Sequence, residues 1–203
     1  METDFKLFGK WDYDVEIVDV GLRPYMNINP MSVPDSRGRH TKKRFWKAEK
    51  VSIVERMINK IMRSGQGSKK FGGKYIRGTG ATGKKSLAMK IVEGAFDIVA
   101  QKTNDNPVQV LVDAVQNAAP REETTTIIYG GVHYHQAVDI ASQRRIDLAL
   151  KNIVVAAYAN SFNSKGSIQA SLAEEIITTA NNDPKSYAIK KKEETERIAL
   201  SSR

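Results

Sequence analysis

The stretch RGTGATGKKS, residues 77–86, has the residue types and the spacing of a phosphate-binding loop. Gly78, Gly80 and Gly83 match the pattern GxGxxG, and residues 78–84 match GxxxxGK. Glycine-rich loops of this kind bind phosphates because their backbone N–H groups approach the phosphate oxygens closely. Whether the pattern indicates a nucleotide-binding enzyme depends on the residues on either side of it.

The flanking residues argue against a nucleotide site. A P-loop or a Rossmann turn follows a buried parallel strand, and the preceding GSKKFGGKYIR has no apolar run of four residues, so we expect no strand there. A P-loop also needs Ser or Thr directly after its lysine to bind Mg²⁺, and here Lys85 separates Lys84 from Ser86. We therefore expect no cofactor, and a chance glycine pattern in a basic loop is the preferred interpretation.

Other candidate sites are equally incomplete. His133 and His135 lie two residues apart, on one face of a predicted strand, but the third histidine, His40, belongs to a distant basic segment. A metal site needs at least three protein ligands, so we expect none. Glu122 and Glu123 follow an arginine, and bridging a helix to a hairpin is a simpler role for them than acid–base catalysis. We expect no catalytic residues and no enzyme.

The charge is distributed unevenly along the 203 residues, whose net charge is +9. Residues 1–36 carry 3 Lys or Arg against 7 Asp or Glu, residues 37–90 carry 17 against 2, and residues 91–203 carry 12 against 14. Such a concentration of positive charge repels itself unless a polyanion neutralises it, which favours nucleic acid as the partner. The alternative is a solvated lysine-rich surface.

The lack of cysteine and of long apolar runs indicates the cellular compartment that we expect for the protein. There is no cysteine, which fits a reducing cytoplasmic setting, and no apolar run approaches the roughly 20 residues of a membrane span. The acidic, aromatic start METDFKLFGKWDYD does not resemble a signal peptide. We expect a soluble cytoplasmic protein without a membrane partner.

The N-terminal 50 residues are predicted to be an arm. Prolines at 24, 30 and 34 recur too often for a helix, so residues 1–36 should be extended and lie on a surface without contributing to a core. Residues 37–50, RGRHTKKRFWKAEK, place seven Lys or Arg around Phe45 and Trp46, a mixture that suits phosphates and stacked bases. We assign residues 1–50 to an acidic-then-basic arm and residues 51–203 to a helical domain.

Apolar residues at helical spacing predict six helices after residue 50. In the first, Ile53, Met57 and Ile61 should face the core, with Arg56 and Lys60 facing away. Between the first two helices, residues 64–83 contain seven glycines and no apolar period, which predicts a mobile basic loop. The helices are expected near residues 51–63, 87–99, 107–119, 146–157, 172–180 and 187–200. Asp183 and Pro184 should open the last of them.

A β-hairpin is predicted at residues 124–138, TTTIIYGGVHYHQAV. Gly130 and Gly131 suit a two-residue type I′ turn, because both positions need a positive φ. This turn pairs Tyr129 with Val132, and each strand then alternates its side chains between two faces. An isolated hairpin is marginal in water, so its base should pack on helices and its tip on a partner. The predicted fold class is therefore mainly α, with a six-helix body, one protruding hairpin and an extended N-terminal arm.

Basic segments and a hairpin on a helical body suit an irregular folded RNA, and an architectural DNA-bending protein is the alternative. Several stretches resemble the universal small-subunit ribosomal protein seven family. GKKSLAMKIVEGA, residues 83–95, resembles the family signature. Five further stretches resemble the archaeal and eukaryotic branch of this family. In order along the chain, they are GRHTKKRFWKA, NPVQVLVDAVQNAAPREETTTI, YGGVHYHQAVDI, RRIDLAL and DPKSYAIKKKEETERIALSSR.

The resemblance implies a structural constituent of the small ribosomal subunit that binds the rRNA of the head, nucleates its assembly and lies at the subunit interface. Neighbours would include the universal proteins nine and eleven, and the hairpin would lie near exit-site tRNA and the mRNA path. With the charge pattern, the candidate rRNA contacts are Arg37, Arg39, His40, Lys42, Lys43, Arg44, Trp46, Lys47, Lys69, Lys70, Lys84, Lys85, Arg144 and Arg145. The candidate tip contacts are Tyr129, Gly130, Gly131, His133 and Tyr134.

The sequence departs from bacterial members of that family in two places. The loop at residues 64–83 is longer, so its RNA contacts cannot be transferred from them. Bacterial hairpins carry arginines before the turn, and TTTIIYGG carries none. We expect hydrogen bonds or stacking from Tyr129, His133 and Tyr134 in their place.

Overall fold

The computed structural model describes residues 6–31, 33, 50–63, 66–71, 74–77, 83–162 and 164–203, with backbone alone for 66–71 and 74–77. The described chain is mainly helical, as predicted. Its α-helices are α1 (Ile53–Ile61), α2 (Lys85–Thr103), α3 (Pro107–Ala118), α4 (Ser142–Ser161), α5 (Ile168–Ala180) and α6 (Tyr187–Ser201), and a 3₁₀ turn covers Arg23–Tyr25. Within the described residues, no helix is both long and apolar enough to cross a membrane.

The helix starts follow local capping chemistry in four cases. The side chains of Ser52, Asn106, Ser167 and Ser186 accept backbone N–H groups of the first turns of α1, α3, α5 and α6. Pro107 occupies the first turn of α3, as predicted. The predicted cap of α6 is wrong, because Asp183 instead accepts the backbone N–H of Lys185 in the turn before the helix.

The core forms where the apolar faces of the helices meet. Helix α5 lies at its centre and packs against α2, α3 and α4. Phe96, Leu111, Leu150 and Ile176 are all fully buried there. Burial of a side chain of this size contributes about 1.5–3 kcal/mol, so these faces account for most of the stability of the body.

The N-terminal segment is extended but joins the core, which corrects the prediction of a surface arm without core contacts. Leu7, Leu22 and Met26 are buried in the same cluster as the helices. Trp11 packs edge-on against Phe96, with ring centroids 5.7 Å apart. We call residues 11–20 the strap. The alternation of the sequence WDYDVEIVDV places every second strap side chain toward the helices.

Arg56 also departs from the prediction that it faces away from the core, since only 1% of it is exposed. Its Nη1 donates to the backbone oxygen of Tyr25 at 3.0 Å, and its Nη2 lies 3.5 Å from an Asp147 oxygen. Burial lowers the pKa of Arg56, while the charge of Asp147 acts in the opposite direction. The cation therefore joins α1 to α4 and to the N-terminal segment.

Two antiparallel hairpins complete the described fold. In β3 (Glu122–Tyr129) and β4 (Val132–Asp139), the predicted register is confirmed from Tyr129 opposite Val132 down to Glu122 opposite Asp139. Gly130 and Gly131 have φ of 58° and 81°, as the turn requires. The second hairpin, β1 (Gln66–Phe71) and β2 (Lys74–Arg77), lies where a loop was predicted.

Candidate nucleic-acid interface

The start of α2 combines a glycine turn with two lysines. Gly83 has a φ of 77°, and Lys84 occupies the cap position without a side-chain hydrogen bond to the first turn. Lys84 is exposed, whereas Lys85 forms an ion pair with the buried carboxylate of Glu55 on α1. The N-terminus of a helix carries partial positive charge, and Lys84 adds a full positive charge at the same place. The start of α2 therefore favours a bound anion.

This geometry changes the reason for rejecting a nucleotide loop. A strand does precede the glycine pattern, so the expectation of no strand there is wrong. That strand, β2, is antiparallel and pairs with β1 in a two-stranded sheet, whereas phosphate loops follow a buried parallel strand. The position after Lys84 still lacks the hydroxyl that would bind Mg²⁺.

The start of α4 repeats the arrangement seen at α2. Its cap residue is Ala141, which provides no side-chain hydrogen bond, and Arg144 and Arg145 follow in the first turn. Of the six described helices, only α2 and α4 lack a side-chain cap, and both begin with paired cations. Strand β1, which carries Lys69 and Lys70, also lies against α4.

Both arginines of α4 have intramolecular partners. Arg144 donates from Nε and Nη2 to the two oxygens of Glu123 at 2.6 and 2.8 Å, and these hydrogen bonds raise its pKa further. Arg145 lies 3.0 Å from an oxygen of Asp19 in the strap and donates to the backbone oxygen of Pro120. Arg145 therefore fixes the strap to α4.

The predicted bridging role of the glutamates at the hairpin base is confirmed. Glu123 pairs with Arg144 on α4, and Glu122 pairs with Arg203 after α6. The backbone N–H of Arg121 also donates to Glu196 on α6 at 2.9 Å. These contacts hold the base of the hairpin on two helices and leave its outer half unsupported.

The outer half of the hairpin is exposed on both faces. Tyr129 is 79% exposed, and Ile127, Ile128, Val132 and Tyr134 are exposed as well. His133 is also exposed, and no residue between Thr124 and Gln136 is Lys, Arg, Asp or Glu. A contiguous exposed apolar and aromatic surface of this kind is typical of an interaction site.

The remaining candidates are not assembled into one site by the structure. The basic segment with Arg37, Arg39, His40, Lys42, Lys43, Arg44, Trp46 and Lys47 lies outside the described residues. His135 is within 3.2 Å of the Thr126 hydroxyl on the opposite strand. Within the part of the chain that the structure describes, no three His, Asp or Glu side chains are grouped as metal ligands.

The family model for ribosomal protein S7p/S5e matches residues 22–203, which is most of the chain. The chain belongs to the ribosomal protein S7p/S5e family. It is therefore a ribosomal protein of the small subunit, a cytoplasmic particle, and its partners are the small-subunit rRNA and other ribosomal proteins. The family is a structural class and not a catalytic one. The GKK lysines of the opening stretch thus belong to a ribosomal protein.

Two features of this S7p/S5e protein were missed in the sequence. One is the strap, whose apolar–polar alternation from residue 11 to residue 17 is a strand signal that the neighbouring prolines obscured. The other is a cavity of about 580 Å³ beside the hairpin base, between the strap and helices α3 to α6. Arg121, Lys192 and Asp113 are among the residues that line it, and they come from separate elements, so no local pattern joins them.

Proposed function

We propose that this protein binds the rRNA of the small-subunit head directly, nucleates assembly there and lies at the subunit interface. Its hairpin tip is proposed to lie near exit-site tRNA and the mRNA path, with the universal proteins nine and eleven as neighbours. The sequence stretches resembling the archaeal and eukaryotic branch suggest membership of that branch. The location, the assembly role and the neighbours follow from the family resemblance, and the direct binding of rRNA is argued from the residues below.

The observation that carries the proposal is the pairing of uncapped helix starts with cations. At α2 and α4, the partial positive charge of the helix end coincides with Lys84, Lys85, Arg144 and Arg145. A protein that had only to fold would place acidic or hydroxyl side chains there, as α1, α3, α5 and α6 do with their caps. Phosphate oxygens would accept from the uncapped backbone N–H groups at both helix starts, and the exposed Lys84 would add charge there, whereas Lys85, Arg144 and Arg145 already pair with carboxylates of this chain.

The long basic stretch of the sequence also favours an RNA partner. Residues 37–90 carry 17 Lys or Arg against 2 Asp or Glu, and Lys84 and Lys85 lie near their end. Phe45 and Trp46 add faces on which unpaired bases can stack. The uncharged hairpin tip supports a different contact, in which Tyr129 and Tyr134 stack or donate hydrogen bonds to an RNA.

The test changes four candidate contacts together and measures salt dependence. Arg39, Lys42, Lys43 and Arg44 are replaced by alanine, and affinity for a head-domain rRNA fragment is measured between 50 and 300 mM KCl, a range chosen to span roughly physiological salt. Each lost phosphate contact lowers the slope of log affinity against log salt by about 0.7–0.9. We expect weaker binding and a slope reduced by about 3.

A matched control removes the same charge elsewhere. Lys151, Lys165, Lys185 and Lys190 are exposed residues of α4, the following loop, the turn before α6 and α6 itself, and they are not candidate contacts. Their quadruple alanine variant should keep most of the wild-type slope. Equal slopes for the arm variant and the wild type would refute the assignment. Competition with duplex DNA separates the architectural alternative, which requires duplex affinity at least equal to that for rRNA.

A further inference from the structure

We infer that the strap, residues 11–20, has a free strand edge that docks an extended, lysine- and arginine-rich segment of a neighbouring protein of the small subunit. This inference rests on membership of the ribosomal family and not on the proposed rRNA contacts. It concerns the acidic end of the chain, where no candidate RNA contact was assigned.

The strap has the alternating burial of a single β-strand laid on helices. Tyr13, Val15 and Ile17 pack partly buried against the core, and the residues between them are exposed. Such alternation means that successive side chains point to opposite faces, as in a strand. Successive backbone groups then point to opposite edges, so residues of one parity share each edge.

One edge of the strap is already occupied by α3. Gln109 accepts the backbone N–H of Glu16 at 2.9 Å and donates to the Glu16 oxygen at 3.1 Å. At the start of α3, Asn106 donates to the backbone oxygen of Asp12 at 2.9 Å. The side-chain amides of Asn106 and Gln109 therefore form the hydrogen bonds that a neighbouring strand would form along this edge.

The other edge is unpaired at its centre in the described part of the chain, between Trp11, which pairs with Leu7, and Asp19, whose N–H donates to Gln116 of α3 at 2.7 Å. The backbone N–H and C=O groups of Tyr13, Val15 and Ile17 form no hydrogen bond with any described residue. Three consecutive same-parity residues offer six backbone groups, enough to pair with a short added strand. Unpaired strand edges are normally blocked, and nothing in the described chain covers this one.

The outward face selects the chemistry of the partner. Asp12, Asp14 and Glu16 point away from the helices, and neither Asp14 nor Glu16 forms an ion pair among the described residues. Carboxylates at every second position repel RNA phosphates and attract Lys or Arg on an adjacent strand. Val18 and Val20 continue the row at 76% and 79% exposure, which adds an apolar contact for the partner. A basic extended polypeptide satisfies all three features, whereas the carboxylates repel the phosphates of an RNA.

The first experiment is amide hydrogen exchange with residue resolution, on the free protein and on purified small subunits. We expect exchange at Tyr13, Val15 and Ile17 to slow by about tenfold or more in the subunit, because their N–H groups become bonded. The amide of Glu16, bonded to Gln109 in both states, should change little. Uniform slowing of both parities, or no slowing, would overturn the inference.

The second experiment reverses the charges of the outward face. The variant D14K/E16K is compared with E174K/E193K, which makes the same charge change at exposed positions of α5 and α6. After a high-salt wash of assembled subunits, we expect D14K/E16K to lower the retention of one basic neighbouring protein by about tenfold, and the control to leave it unchanged. Unaltered retention of every protein in D14K/E16K subunits would contradict the inference.

A photo-crosslinking residue at position 18 in the same purified subunits identifies what covers the strap. We expect attachment to a lysine- and arginine-rich segment of a ribosomal protein. Attachment to rRNA, or none, would overturn the inference. Affinity of the free protein for head-domain rRNA is measured in parallel, so a failure of the proposed rRNA binding is recognised separately.

Discussion

Replacing both turn glycines of the β3–β4 hairpin by valine should open its tip without unfolding the body. Gly130 and Gly131 have φ of 58° and 81°, in the region that β-branched residues avoid. A left-handed conformation costs an L-residue about 1–2 kcal/mol, so the two valines together cost about 3 kcal/mol. That cost raises the opening constant of the tip by about 100-fold.

The effect should be local, because the exposed outer half of the hairpin contributes little to the core. Amide exchange of the bonded residues between Thr126 and His135 should accelerate by about 100-fold, up to the rate of an open chain. The free energy of unfolding should fall by no more than about 3 kcal/mol, because the unfolded chain does not carry this strain, and the core helices should open only through global unfolding. The control is Gly130→Asn, since Asn–Gly is a favoured type I′ turn. The reasoning is refuted if the valine variant exchanges like wild type, or if its free energy of unfolding falls by clearly more than about 3 kcal/mol.

The buried carboxylate of Glu175 caps α6, because its Oε1 accepts from the Ser186 hydroxyl at 2.8 Å and from the Ala188 N–H at 3.0 Å. Glu175→Ala should lower the free energy of unfolding by about 3 kcal/mol in urea titrations, whereas Glu175→Gln, which keeps an acceptor, should lose less than half of that. Burial raises the pKa of Asp113, against the effect of a hydrogen bond from Gln109, so the folded state favours the protonated form. The stability from Asp113 is therefore present below about pH 4 and is lost as pH rises through the higher folded pKa. Asp113→Asn should become progressively more stable relative to wild type as pH rises from 4 to 7, and a constant difference across that range would contradict this assignment.

The features that the sequence predicts well are those set by neighbouring residues. The Gly–Gly pair between β-branched and aromatic runs determines the turn, and the turn then determines the register of β3 and β4. Asn106 and Pro107 determine where α3 begins for the same reason. In both cases, the conformation depends on residues a few positions apart.

The features that escaped prediction depend on distant residues. Arg56 has the spacing of a surface cation, and its burial requires Asp147 and the Tyr25 carbonyl, which lie far away in the chain. Strand β1, QGSKKF, is mostly polar residues of low strand propensity, and β2, KYIR, has only four residues, too few to show an alternating pattern. The glutamate that caps α6 lies on α5, so the motif around Asp183 indicated the wrong cap.

The contact between Asp19 and Arg145 also constrains the order of events during synthesis. These side chains are 126 positions apart, so the strap leaves the exit tunnel well before the arginine that anchors it has been translated. Until then, the core that buries Leu7, Leu22 and Met26 is incomplete, and the acidic, partly apolar N-terminal segment remains exposed to solvent. A nascent chain that stops before α4 would leave this segment accessible to proteases and to other chains, whereas in the complete chain it packs against the core.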